Sequence, residues 1–371
     1  MIFKEFFKDN LVQLLFFIIS LTMIVWTIQA VNFLDFITSD GHGFDTYLKY
    51  TFLNIPKIIN GLLPFTFFLT LFYQLLKYDD RNELLIFWSN GINYINFTNK
   101  ILIFSLSITI FQIILGSIIV PFSQDKARSF IRESNIDYFP NLFKEKKFID
   151  VMKNLTIYAE KKIGDSFEGI MLKENFSENS NKNSRYIFAK QGQLFNNLDN
   201  KYFQFENGQI MKINNNKITN IKFDKIIYDL SKFKTQTTTH RKIQETNIGL
   251  LFRCLINNYL YKKSIIIENI NCNQSSIKDV NQEINKRIIK PIFIPLIALL
   301  CSFILINSKI KKNYKRNILM IFLSSFLILV YSEITIKYSG DNILNFLIFF
   351  LFPMFIFISL YSIIIYKYNK N

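Results

Sequence analysis

Six stretches of this chain stay apolar for about 20 residues each: roughly 11–34, 51–76, 101–122, 290–307, 317–336 and 343–366. A run of that length matches the hydrocarbon thickness of a bilayer, about 30 Å. A soluble domain has no use for six of them. The expected fold is therefore an α-helical integral membrane protein with six transmembrane helices. About 165 polar residues separate the third run from the fourth.

Other broad classes fall away. The net charge is +16, but Lys, Asn, Ile and Phe are abundant throughout. Nucleic-acid binding would need a basic stripe with helical or aromatic organisation, and none is present. Cys254, Cys272 and Cys301 form no CxxC pair, so there is no zinc or redox signature. Cys301 lies inside an apolar run, and a Cys254–Cys272 bridge stays open. The first run is too long for a signal-peptide core and no small-residue cleavage site follows, so it is expected to remain as a span.

Short loops set the orientation. The loop 307–317, "NSKIKKNYKRN", carries Lys309, Lys311, Lys312, Lys315 and Arg316, which places it in the cytoplasm. Alternation then puts both termini and 77–100 inside, and 35–50 and the polar middle outside. The loop 35–50 has three Asp and one Lys, as an outer loop should. The expected divisions are 1–122 and 289–371 for the two sets of three spans, with 123–288 as a periplasmic domain between them.

That middle segment opens with a polar helical stretch, about 123–147. It continues as alternating runs at 154–162, 167–176, 184–195, 201–213 and 217–230, separated by turn clusters such as "SENSNKNS". Period-2 alternation with regular turns indicates an all-β sandwich or open barrel. In "NLTIYAEKK", Leu155, Ile157 and Ala159 should share one face; in "KYFQFENG", Phe203 and Phe205 should share another. After 245 the pattern becomes helical, and Glu283 and Arg287 stand at the stabilising i, i+4 spacing.

A search for chemistry finds little. The glycine spacing Gly164–Gly169 is followed by Ile170 and Met171 instead of Lys and Ser/Thr, so there is no phosphate loop. His42 sits in "SDGHGFD" beside Asp40 and Asp45, a pattern a flexible outer loop explains better than a metal site. His240 has no nearby nucleophile. No catalytic residue, cofactor or metal ligand is assigned. Lys57 is an ionisable residue at the outer end of the second span, between Pro56 and Pro64; it either snorkels to the headgroups or contacts an anionic lipid phosphate.

Between the second and third spans lies "DDRNELLIFWSNGIN", 79–93. Asp80 and Glu83 fit a capping box. Leu84, Leu85, Phe87 and Trp88 fall on one side, and Gly91 is a natural stop. This predicts a short cytoplasmic helix, about 80–90, that either lies on the membrane surface or inserts into a cytoplasmic partner.

Taken end to end, the chain resembles the lipopolysaccharide-export permease family LptF/LptG. The stretch "LPFTFFLTLFYQLLKYDDRNELLIFWSNGIN" is similar to that family's second span plus coupling helix. The series "TIYAEKK…GIMLKE…FAKQGQLF…FENGQI" is similar to its periplasmic domain, and "EINKRIIKPIFIPL" to its lead-in to the fourth span; "VWTIQAVNFLDFI" leans toward the LptF branch.

The resemblance implies a periplasmic jellyroll-like domain and a heterodimer with a paralogous permease subunit. It implies a cytoplasmic ABC ATPase dimer as the energy source and a periplasmic jellyroll bridge protein as the acceptor of lipopolysaccharide. ATPase contact then falls to Arg81, Glu83, Leu84, Phe87 and Trp88. Lipid contact falls to Gln29, Asn32, Lys57, Ile157 and Phe205. Family members often carry a basic residue near the outer end of the first span, where this chain has Gln29 and Asn32. The alternative is a membrane-anchored periplasmic binding or assembly protein, which would have no need for a structured apolar helix at 80–90.

Overall fold

The computed structural model describes residues 2–34, 44–134, 145–152, 155–164, 166–175, 183–196, 201–214, 217–229, 242–261, 265–267, 270–272, 274–306, 313–340 and 343–370. The loop holding His42, the segment holding His240 and the basic residues 309–312 lie outside the described residues. The chain divides into two units, one comprising 1–30, 51–127 and 240–371, the other 31–50 and 128–239.

In chain order, helix α1 is Ile2–Asn32; its last two residues and most of α2 (Phe44–Leu53) fall in the second unit. After α2 comes α3 (Ile55–Asp80), then the short α4 (Glu83–Ser89) and α5 (Tyr94–Ile114). A π-helical turn, Leu115–Ile119, joins α5 to α6 (Val120–Ser134). Past the β-rich segment come α7 (Ile248–Tyr261), a small hairpin (Ile265–Ile267 with Ile270–Cys272) and α8 (Gln274–Ile284). A second π turn, Asn285–Ile289, leads into α9 (Phe293–Ser302), followed by α10 (Tyr314–Tyr338) and α11 (Ile343–Lys370). Among the described residues, six helical stretches are long and apolar enough to cross a membrane: Phe3–Asn32, Phe44–Asp80, Tyr94–Ile131, Ser276–Ile306, Tyr314–Tyr338 and Ile348–Tyr366.

The fourth span is the axis of the bundle. Every residue of α9 is buried, as expected of a helix that is apolar all round. It packs on α3, α5, α10 and α11, with Ile297, Ala298 and Cys301 set against Phe68, Leu71 and Leu75 in one core. The outer helices keep lipid-facing residues exposed, among them Phe16, Ile24, Ile110, Leu327 and Phe355.

Two features near α7 were not legible in the sequence. One is the hairpin, whose three-residue strands are too short to show alternation. The other is a disulfide between Cys254 and Cys272, with Cα atoms 5.8 Å apart. Leu251, Val280 and Ile284 enclose it in a small core.

The second unit contains a six-stranded antiparallel sheet, a meander in which each strand pairs with its neighbours in sequence. Its strands are β1 (Phe148–Met152), β2 (Leu155–Ile163), β3 (Ser166–Asn175), β4 (Asn183–Asn196), β5 (Lys201–Asn214) and β6 (Lys217–Asp229). Five match the expected runs; β1 falls in the gap between the helical stretch expected to about 147 and the first expected strand at 154. Leu155, Ile157, Ala159, Phe203 and Phe205 are all buried in one core.

That core draws on both parities of the strands. Ile210 and Phe205 both point inward, as do Ile170 and Phe167, although strict alternation would put the members of each pair on opposite faces. The pairing passes over the row Glu160, Gly169, Lys190, Asn207 and Asp224. Gly169 and Asn207 are left-handed there, at φ 63° and 54°. A left-handed residue in a strand resets which side chains face inward. Gly192 then leaves room for the Phe203 and Phe205 rings, which would lie 3.1 and 3.2 Å from a Cβ at that position.

Candidate functional site

Two groups of residues in the helical unit carry features that packing alone does not require. The first is a cavity of about 290 Å3 between α1, α3, the π turn after α5 and the π turn before α9. Its cationic wall is Lys57, Lys286, Arg287 and Lys290, with Glu283 the acidic lining residue; Gln29, Asn60, Gln112 and Gln124 also line it.

The π turns explain why these side chains meet. Such turns insert one residue into a helix and re-aim the side chains beside it, often at functional sites. Here the turn Leu115–Ile119 brings Gly116 against the Asn60 amide, 3.3 Å from where a Cβ would sit. The turn Asn285–Ile289 directs Arg287 inward, where it is 3% exposed. Buried charges need partners, and Arg287 has three. Its Nε donates to Glu283 Oε1 at 2.9 Å, and its terminal nitrogens donate to Thr246 O at 2.8 Å and Gln244 O at 3.0 Å. Lys290 is ion-paired with Glu333 on α10. Lys286 stands 3.9 Å from the already engaged Glu283. Lys57 makes no ion pair among the described residues. Two amines thus face the cavity with charge that the protein itself does not neutralise well.

Of the predicted lipid contacts, Gln29 and Lys57 are brought together in this cavity. Asn32 is exposed and is not among the lining residues. Ile157 and Phe205 are 2% and 1% exposed, packed in the core of the sheet. Sequence reasoning missed Lys286, Lys290 and Gln112. For Gln112 and Lys290 the available signal was a polar side chain inside an apolar run; Lys286 lies before the fourth run and gave none, and their convergence depends on the two π turns.

The second group surrounds α4. The predicted capping box is not formed. Asp80 closes α3, the N-cap is Asn82 in a left-handed conformation (φ 60°), and no side chain caps the helix. The D-x-x-E spacing is satisfied in the sequence, but α3 continues through Asp80 and leaves it no extended backbone from which to cap. Glu83 sits 3.8 Å from Arg81 instead.

The side chains of α4 divide cleanly. Leu84 and Phe87 are 3% and 7% exposed, whereas Leu85 and Ile86 are 62% and 56% exposed. Phe87 stacks on Phe97 at 5.7 Å, and Trp88 packs on Tyr94 at 4.2 Å. Phe6 of α1 meets Phe97 at 5.0 Å and Tyr78 at 5.3 Å. Tyr78 donates to Asp9 Oδ2 at 3.0 Å, and Tyr314 donates to Asp79. The helix is therefore anchored to α3 and α5, which α1 and the start of α10 brace in turn, with an apolar outer face left over.

The profile of the Lipopolysaccharide export system permease LptF/LptG family matches residues 2–367. The chain belongs to the LptF/LptG permease family. A protein of Rickettsia prowazekii (strain Madrid E), described only as uncharacterized, is 25% identical over 248 residues, which is 65% of this chain and 68% of that one. Membership together with six apolar helices makes this chain a multi-pass inner-membrane protein of a lipopolysaccharide-export permease family. The family is one of permease subunits.

Proposed function

We propose that this chain is one half of a heterodimer with a paralogous permease subunit, coupled to a cytoplasmic ABC ATPase dimer. The pair extracts lipopolysaccharide from the inner membrane and passes it to a periplasmic jellyroll bridge protein. By the loop-charge rule both termini and α4 are cytoplasmic, and the β-sheet unit is periplasmic. The cavity then opens at the level of the outer leaflet.

The observation that carries this reading is the convergence of Lys57 and Lys286 with buried, partnered Arg287 and Lys290 in one cavity. Four cations against one lining carboxylate suit a phosphorylated headgroup, because charge-assisted bonds to phosphate are the strong ones. The first span offers Gln29 where relatives often place a base; the fourth span supplies the charge instead. A volume near the lower end for small-molecule sites, about 300 Å3, fits part of a headgroup, with the acyl chains outside in lipid.

At the other end, Leu85 and Ile86 with Arg81 and Glu83 form the face offered to the ATPase. Leu84, Phe87 and Trp88 hold that face to the bundle. Passage of acyl chains along Ile157 and Phe205 requires the sheet's core to part. The test is purification in detergent with identification of co-purifying protein and lipid. The reading expects the paralogue, an ABC ATPase and lipopolysaccharide; a chain that purifies without an ATPase or lipopolysaccharide overturns it.

A further inference from the structure

Beside its cations the cavity is lined by carboxamides, Gln29, Asn60, Gln112, Gln124 and Gln244. Gln112 is 2% exposed. Its Nε2 donates to Asn60 O at 3.2 Å, which fixes the amide plane and turns Oε1 away from that bond. That oxygen and Asn60 Oδ1 are both buried without a protein donor. Leaving a buried acceptor unpaired is costly, and an apolar residue in either place would avoid it. Gly116 contributes by omission: a Cβ there would press on the Asn60 amide at 3.3 Å.

We propose that Gln112 and Asn60, flanked by Gln29 and Gln124, form a hydrogen-bonding floor that reads the hydroxyl or N–H groups of a phosphorylated sugar, so that the site selects glycosyl phosphates over simple phosphate lipids. This rests on the reading of the cationic wall as a phosphate site. The unpartnered atoms are acceptors, so the ligand must bring donors as well as phosphate. An ammonium headgroup would supply donors, but the same wall of Lys57, Lys286 and Lys290 repels it. A neutral hydroxyl or amide N–H suffers no such repulsion. Selection by paired polar groups is steep because the wrong ligand leaves them unpaired.

The test uses the full chain in nanodiscs, with native mass spectrometry of bound lipid. The probes are lipid A (a phosphorylated, N-acylated glucosamine disaccharide), phosphatidic acid and phosphatidylethanolamine. Wild type should prefer lipid A. Gln112→Met, similar in size but without an acceptor amide, should weaken lipid A about tenfold and leave phosphatidic acid within twofold. Gly116→Ala should weaken lipid A by a smaller factor through displacement of Asn60. It favours helix formation, so it remains informative if Gln112→Met fails to fold. Equal loss of both anionic lipids, no loss in either variant, or a wild-type preference for phosphatidylethanolamine overturns the proposal. Lys57→Gln with Lys286→Gln should weaken both anionic lipids. If it weakens neither, the phosphate reading fails and the floor with it; if it weakens both while Gln112→Met and Gly116→Ala change nothing, only the floor fails.

Discussion

Arg287 donates to the backbone carbonyl of Thr246 at 2.8 Å, across 41 residues of sequence. With a second bond to Gln244 O and a third to Glu283, it ties the segment returning from the β-rich region to the start of the fourth span. Arg287→Met should remove all three bonds at once and leave Glu283 and two carbonyls without their donor. The expected loss is about 3 kcal/mol, read as a lower unfolding temperature in detergent. Arg287→Lys should recover only part of it, because an ammonium cannot reproduce the planar fork.

On α4 the two faces separate stability from coupling. Phe87→Ala should cost about 3 kcal/mol, since it empties a site walled by Phe97 and Tyr78. Leu85→Asp or Ile86→Asp should leave the unfolding temperature unchanged, because both side chains are already exposed. They should nonetheless lower recovery of the ATPase in a pull-down, by placing an unpaired charge in an apolar contact. A pull-down indifferent to Ile86→Asp and Leu85→Asp would take this face out of the interface.

The disulfide closes a short loop, with its cysteines 18 positions apart. Chain-entropy arguments give such a loop roughly 3 kcal/mol. Cys254→Ala with Cys272→Ala should lower the unfolding temperature, and in a Cys301→Ala background, which removes the free thiol, maleimide should label the chain only after reduction. Labelling before reduction would rule the bridge out.

Tyr228 is buried in the sheet core. Burial first, and nearby Glu174 second, push its phenol well above the ordinary value near 10. A raised acid pKa means the folded state holds its proton after the unfolded chain has lost it. Stability from this group is complete below pH 10 and drains away as pH rises further. Tyr228→Phe should flatten that alkaline loss in a denaturation series.

How much of this was legible in the sequence follows from the range of each interaction. The spans read directly, since a bilayer demands about 20 apolar residues whatever the neighbours do. Leu155, Ile157 and Ala159 read directly from alternation. The step from Phe205 to Ile210 did not, because it depends on left-handed Asn207 resetting the register. The capping box failed because Asp80 satisfies two local patterns, and the longer helix α3 claimed it. Lys57 was visible as an anomaly, but Lys286, Lys290 and Gln112 join it only through two π turns that leave no periodic mark.

A photo-crosslinker separates a conduit from a scaffold in the sheet. Under the proposed function, probes at Ile157 or Phe205 should capture lipopolysaccharide only while ATP turns over, because both side chains are packed at rest. Probes at Thr156 or Gln204 should not. Equal capture on both faces would leave the sheet as a platform for its neighbours.

The most direct test of the whole account is ATP-driven release of lipopolysaccharide. Proteoliposomes would hold this chain, its paralogue and the ATPase, with a soluble jellyroll acceptor outside. The account predicts transfer to the acceptor that needs ATP and falls at least tenfold in Lys57→Gln/Lys286→Gln, with ATPase recovery unchanged. Transfer that proceeds equally in that variant, or an assembled wild-type complex that hydrolyses ATP and moves no lipopolysaccharide, would contradict it.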